Sequence, residues 1–570
     1  MYKENINDAF TLPIHYHYNT NIGDNINNDL ELQITQDPSN TPIYKELFQP
    51  KTVVGNLMIK QWGKSFTNNT DFLKDSQQLY KNFDVSQNTT IIDNMANDWN
   101  EIKTIQDIEE QYQYIEWDRI KFLNYNPVLL HILSFLNISS PIMQLVSPII
   151  CLFLPFLFLK LMGKNIDMGN YIDILKQIIA RNQLGQIIVN FNNVSVKTKV
   201  YGVVMLGFYL YSIYQNIISC YHFYMNSFYI IDKLNSMKNY LKYTKENIHK
   251  LLEKTHNLKS YQEFNNTMEK YKTKINTIIE DLEYLPEKTK SFDTVKKFGM
   301  IMKEFYKIHY DNDIDNVMCY SFGLNGYIDC INGLKENIDN ANIHQTKFTT
   351  KNKCLFKNIY HPSLKNKPHV KNNVNLNKSM IITGPNAAGK TTILKSTIIN
   401  LIFSQQVGYG FYTNAQLNPY KFIHSYINIP DSCSRDSLFQ AEARRCKNIL
   451  DVIENNKNDR HFCVFDELYS GTNPYEAVSN AYGYLYHIIK NKNVKVILTT
   501  HYIELCKLFR KNKNIKNCSM STNFDNDEPI YNYKLIKGYS KTKGGTAVIK
   551  KLKYPKSIID IAEKIINKIN

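Results

Sequence analysis

The fold that the sequence predicts is an α/β domain with a mostly parallel sheet and helices on both faces, preceded by a mainly α-helical region. Three observations carry it. After Lys351, short apolar runs bounded by Gly, Asn and Asp alternate with amphipathic helical patterns, the texture of parallel strands joined by crossover helices. One of those runs, Met380 to Thr383, leads into a glycine-bearing loop and then a helical pattern, Thr391 to Phe403. Between about Asp84 and Asn340, by contrast, the pattern is mostly long helix.

A chain of 570 residues is too long for one core. Three segments divide it: a polar, Asn-rich stretch over 1–40, a helical region over 41–350, and the α/β domain over 351–570. With 43% hydrophobic and 21% charged residues the composition is that of a globular protein. The net charge of +16 suits an anionic partner, nucleic acid or a membrane surface, although Lys is spread thinly rather than clustered. Ten cysteines stand singly without CxxC pairs, which argues for a reducing compartment and against a disulfide framework or zinc site. The first residues show no basic-then-apolar leader, so the expected location is cytoplasmic or nuclear, or a viral factory within one.

In the helical region, Tyr44 to Tyr80 has apolar residues at helical spacing, and Met237 to Leu285 is charge-rich with apolar spacings near those of a coiled arm or a packed helix pair. Two stretches, 122–159 and 201–231, carry no Asp, Glu, Lys or Arg. Each is long enough to cross a bilayer, particularly through 141–159 and 203–218. The segment between them holds Lys160, Lys164, Lys176, Arg181, Lys197 and Lys199, so the distribution of positive charge gives no support to insertion. Membrane insertion and burial of the two helices against the long arms or in a dimer both stay open.

The chemistry lies in the last segment. Gly384, four residues, then Gly389-Lys390-Thr391 fit the phosphate-binding pattern GxxxxGK[ST] between a strand and a helix. The loop Gly384, Pro385, Asn386, Ala387, Ala388 and Gly389 would wrap a β-phosphate at the positive end of the helix, with backbone N–H groups from all but Pro385, which has none. Lys390 would reach the β- and γ-phosphates, Thr391 would hold Mg²⁺, and Thr392 continues the helix start. Further on, the apolar run before Asp466-Glu467 ends in two acids, one suited to Mg²⁺ and the other to orienting the water that attacks the γ-phosphate. A third run ends in Thr499-Thr500-His501, where His501 would sense that phosphate. Ser437 opens a helical pattern with Phe439 and Glu442 on following turns, either as a plain N-cap or as a group facing the nucleotide of a second subunit.

Together these motifs resemble the ATPase domain of the MutS DNA mismatch-repair family, an ABC-type ATPase. "TGPNAAGKTTILKS" is similar to the family's TGPNMGGKST, "SLFQAEA" to STFMxEM, "DELYSGTNPYEAVSNAYGYL" to DELGSGTDPxEG, and "TTHYIEL" to ATHYxEL. "SQQVGYGFYTNA" and "NIYHPSL" match flanking elements, and "YKLIKGYSKTKGG" with "YPKSIIDIAEKII" the closing segment. From residue 40 to 350 the likeness is faint, beginning with "TVVGNLMIKQWGKSF". Ala388 stands where the family has Gly.

The resemblance implies Mg²⁺-dependent hydrolysis of ATP, with two ATPase domains packed head-to-tail as a homodimer or a heterodimer with a second MutS-like ATPase. Each site would take Lys390, Thr391, Asp466, Glu467 and His501 from one chain and Ser437 from the other. A helical core and lever region would then clamp duplex or branched DNA. Mismatch reading does not carry over, because no Phe-x-Glu wedge precedes the core and only some forty residues stand before it. The alternative implied by the two uncharged stretches is a membrane-anchored ATPase with a structural or tethering role. A substrate-pumping transporter is disfavoured by the missing LSGGQ.

Overall fold

The computed structural model describes residues 6, 8–163, 167–179, 195–286, 296–427, 438–525, 528–540 and 552–569. Two compact units emerge. One gathers residues 1–96, 244–273 and 317–570, and the other 97–243 and 274–316. The first ninety-six residues therefore share a unit with the α/β domain, and the units cut across the division at 351.

The first unit holds thirteen strands among the described residues. β1 (Thr20–Asn21) and β2 (Ser65–Phe66) form a small antiparallel pair. β3 (His344–Phe348), β4 (Cys354–Ile359), β5 (Asn372–Asn375), β7 (Tyr409–Gly410) and β8 (Asn414–Leu417) form a mixed sheet in the order β5-β4-β8-β3-β7. The main sheet runs β13-β12-β6-β11-β10-β9, from β6 (Ser379–Thr383), β9 (Phe422–Tyr426), β10 (His461–Asp466), β11 (Val494–Thr500), β12 (Ile515–Asp525) and β13 (Glu528–Lys537). Five of these are parallel, and only the edge pair β12–β13 is antiparallel. The mostly parallel sheet thus stands as expected, whereas the second sheet had no separate signal in the sequence.

Strand alternation explains why this sheet is buried on both faces. Ile381, Cys463, Phe465, Val496 and Leu498 point into one core with Cys446 and Ile449 of helix Leu438–Asn455 and with Ala477, Ala481 and Leu485 of helix Pro474–Ile488. The intervening Met380, Ile382, Phe462, Val464 and Ile497 are equally buried, and helix Lys390–Gln406 lies against β10 and β11. Pro474 at the first helical position and Asn473, whose side chain accepts the N–H groups of Tyr475 and Glu476, start helix Pro474–Ile488.

Polar side chains fix the N-terminal helices to this unit. Thr52 caps helix Val53–Trp62, and the carboxylate of Asp329 accepts Lys51 N at 2.9 Å, Thr52 N at 2.8 Å and the Thr52 hydroxyl at 2.7 Å. Gln406 is fully buried, its amide donating to Trp62 O at 2.6 Å and Ser65 O at 2.9 Å while its carbonyl accepts the Tyr44 hydroxyl at 3.1 Å. Gln406→Leu is expected to destabilise the protein by about 2–4 kcal/mol, because it strands buried acceptors while keeping the volume. A denaturant midpoint checks this. The segment 1–40 contributes to the core despite its polar texture. Phe10, Leu12, Ile14 and Ile22 are buried, and the Phe10 ring packs on Phe264, Tyr320 and Tyr327.

Two stacked histidines sit at the sheet. His461 donates from Nε2 to Asn456 O at 2.9 Å, so its Nδ1 accepts from His424 Nε2 at 3.1 Å, and both rings are neutral. Burial, with His461 and Arg445 nearby, pushes His424 down to about 3. The folded value lies below the unfolded one, near 6.5, so the unfolded chain takes up the proton first as pH falls. Stability should drop by roughly 1.4 kcal/mol per pH unit between about 6.5 and 3, or about 2 kcal/mol at pH 5. His424→Leu should flatten that slope in unfolding midpoints measured against pH.

The second unit is helical. It includes helices Pro127–Leu161, Met168–Ile179 and Phe298–Tyr310, and most of the long helix Val196–Thr255. Over Met237 to Leu285, where a coiled arm or a packed helix pair is expected, helix Val196–Thr255 ends, and a short 3-10 turn, Lys259–Tyr261, in the first unit leads into helix Gln262–Asp281. Among the described residues, Pro127–Ser147 and Val196–Thr255 are long and apolar enough to cross a membrane, and their most apolar windows are 17% and 0% buried.

Candidate nucleotide site

The phosphate-loop residues stand between β6 and helix Lys390–Gln406, as the pattern requires. Gly389 caps the helix in the left-handed region, at φ 90°, and a Cβ there would meet the Tyr533 ring at 3.2 Å. Ala387 also takes a positive φ, 63°, a costly conformation for a residue with a Cβ. Ala388 is buried, its N–H donating to Pro385 O at 3.3 Å, so a methyl in place of the family's glycine fits.

Lys390 is buried and folds back on its own loop, donating to Gly384 O at 3.0 Å and Pro385 O at 3.2 Å. Burial lowers its basicity, opposed by the Glu467 and Asp466 carboxylates. The Thr391 hydroxyl donates to Asp466 Oδ2 at 2.9 Å, and Asp466 Oδ1 accepts the Thr499 hydroxyl. One hydroxyl and one carboxylate suit Mg²⁺, which takes few protein ligands and completes its octahedron with phosphate and water.

Glu467 follows β10 with φ 55°, held by its N–H donating to Thr499 O at 3.1 Å. Its carboxylate lies 2.7 Å from His501 Nε2, which leaves β11, the next strand in the sheet. That hydrogen bond, reinforced by Lys390, holds the Glu467 carboxyl below its usual range. Lys390 Nζ is also 3.2 Å from the same imidazole nitrogen. With Nε2–H donated to the closer carboxylate, Lys390 stands as a cation beside the His501–Glu467 pair. The arrangement can therefore neutralise an anion and keep an ionised acceptor beside it.

Lys390, Thr391, Asp466, Glu467 and His501 are thus brought together by parallel register: Thr383 pairs with Thr500, and Asp466 with Thr499. Asn386, Ala387, Thr391 and Thr392 face a cavity of about 450 Å³, walled on the far side by Tyr360, His361 and His369. Ser437 lies outside the described residues. Sequence reasoning missed that wall as a unit, and also Thr499 and Tyr533. It gave Glu442 only a place on a helix. The buried Glu442 carboxylate accepts Ser470 N at 3.1 Å, the Ser470 hydroxyl at 2.9 Å and Gly471 N at 3.1 Å, which pins the loop that follows the Asp466-Glu467 pair.

A mostly parallel sheet presenting this loop, lysine, hydroxyl and acid pair at its carboxyl edge defines the class, an ABC-like ATPase domain. Residues 380–570 match the family model described as MutS domain V. Over those residues the chain is similar to curated DNA mismatch repair proteins MutS. Over 193 residues it is 32% identical to the DNA mismatch repair protein MutS of Phocaeicola vulgatus, covering 33% of this chain and 22% of that protein. It is 28% identical over 270 residues to that of Clostridium tetani, covering 45% and 30%, and 30% identical over 213 residues to that of Persephonella marina, covering 36% and 24%. The chain thus spans less than a third of the length of these curated relatives.

Proposed function

We propose that this chain binds Mg²⁺-ATP at the Lys390 loop, hydrolyses it, and uses the cycle to control a DNA-binding clamp. The observation that supports hydrolysis, beyond binding, is the His501–Glu467 pair at 2.7 Å beside Lys390. On this reading Lys390 stabilises charge on the transferring phosphoryl group and Glu467 orients the attacking water. His501 holds Glu467 until the γ-phosphate offers another acceptor. Thr391 and Asp466 hold the metal, which supplies charge neutralisation. The domain would work as a dimer with a second MutS-like ATPase, Ser437 of one chain facing the nucleotide of the other.

DNA binding is supported by the family relation and by the +16 charge. Contacts made mostly by Lys to phosphate would weaken steeply with salt. The test is fluorescence anisotropy of the full chain with plain, mismatched and branched duplexes, with ADP or a non-hydrolysable ATP analogue. Nucleotide-dependent affinity with a steep salt slope supports the clamp. Equal, negligible binding to all three DNAs in either state overturns it.

A further inference from the structure

The two uncharged stretches form one object. Cys220 Sγ donates to Ile138 O at 3.3 Å, Gln144 Nε2 donates to the Ser212 hydroxyl at 2.7 Å, and the Tyr209 hydroxyl donates to Gln144 O at 3.2 Å. Asn216 adds a hydrogen bond to the Gln144 side-chain oxygen. Partners fall in number on one helix as they rise on the other, so Pro127–Leu161 and Val196–Thr255 run as an antiparallel hairpin within the second unit.

Its polarity is inverted relative to a water-soluble pair. Gln144, Tyr209, Ser212 and Asn216 are spent on one another in the seam, while the outside is apolar. Ile142, Leu154 and Phe158 on one helix and Val203, Leu206 and Phe208 on the other are each more than half exposed. Residues 203–212 are all exposed, nearly three turns, so apart from the narrow seam at Tyr209 and Ser212 that stretch of helix is bare. A second protein copy covers one face of a helix pair, whereas lipid covers every face.

The backbone is also prepared for a medium without water. Proline at 141 leaves the carbonyl of Asn137 without its helical donor, and the Ser140 hydroxyl donates to it at 3.0 Å. Proline at 148 does the same to the carbonyl of Gln144, which accepts the Tyr209 and Ser147 hydroxyls at 3.2 and 3.3 Å. Such internal repair is what hydrocarbon demands of a broken helix. Charges return only at the ends, Lys160, Lys197 and Lys199 at the tip and Arg119, Lys121 and Lys233 at the base. Exposed Trp117, Tyr125 and Tyr221 stand near the base, as anchors at a lipid–water boundary do. The part of the helix from residue 135 to 161 is about 40 Å long, against a hydrocarbon core of about 30 Å.

We propose that this hairpin inserts into a lipid bilayer. The inference stands apart from the ATPase reading and fails separately from it. The full chain is synthesised in a cell-free system with neutral phosphatidylcholine vesicles, then washed in alkaline carbonate and floated on a density gradient. The wild-type chain is expected in the floating fraction. Leu154→Arg combined with Phe208→Arg is expected to lower that recovery at least about fivefold, since arginine at mid-membrane is strongly disfavoured. Both positions are exposed, so a soluble fold tolerates them, and tryptic resistance of the first unit verifies that the variant is folded. Wild-type protein left in the soluble fraction, as a monomer or as a hairpin-mediated dimer, overturns the proposal, as does equal flotation of both forms.

Discussion

Glu467→Gln is expected to lower the turnover of ATP by roughly 10²–10⁴-fold while leaving nucleotide affinity nearly unchanged. Glutamine keeps the shape and the hydrogen bond to His501 Nε2, which lies 2.7 Å away, but cannot serve as an anionic acceptor for the attacking water. Single-turnover hydrolysis and equilibrium binding of a fluorescent ATP analogue separate the two quantities. Loss of both together would assign Glu467 a merely structural part. His501 and Lys390 hold the Glu467 carboxyl below its usual range, so protonation of the wild-type acid does not limit activity near neutral pH.

Lys390→Ala is expected to weaken ATP binding and to reduce hydrolysis by roughly 10²–10³-fold. Its ammonium is buried against Gly384 O and Pro385 O in a place that disfavours its charge. Removing it should therefore not lower the thermal midpoint of the nucleotide-free protein. An unchanged midpoint with lost binding distinguishes a phosphate ligand from a packing residue. Thr391 and Asp466 are already hydrogen-bonded to each other, so the alanine variant should retain that pair.

The loop, the acid pair and His501 were legible because nucleotide chemistry fixes residue types at strand ends, where spacing is short and local. Register then did the rest, pairing Asp466 with Thr499 and Thr383 with Thr500. The Tyr360–His361–His369 wall was not legible as a wall, since it depends on β4 and β5 folding over the loop from a second sheet with irregular register. Glu442 acts through Ser470 and Gly471, far along the chain, and nothing local distinguishes it from a solvent-facing acid of a helix start. The segment 1–40 lacked periodicity because it is built of short turns whose buried Phe10, Leu12 and Ile14 fill gaps between distant helices. The apolar hairpin was visible as two uncharged runs, but its polar seam needed the partners of Gln144 to be known.

DNA-linked ATP hydrolysis at the Lys390 loop is the activity proposed for this chain. Steady-state phosphate release by the full chain, with Mg²⁺ and with plain, mismatched or branched duplexes, tests it most directly. The expected result is hydrolysis that DNA stimulates, that chelation of Mg²⁺ abolishes and that Lys390→Ala removes. Phosphate release that is absent, or equal in wild type and Lys390→Ala and indifferent to every DNA, would contradict it.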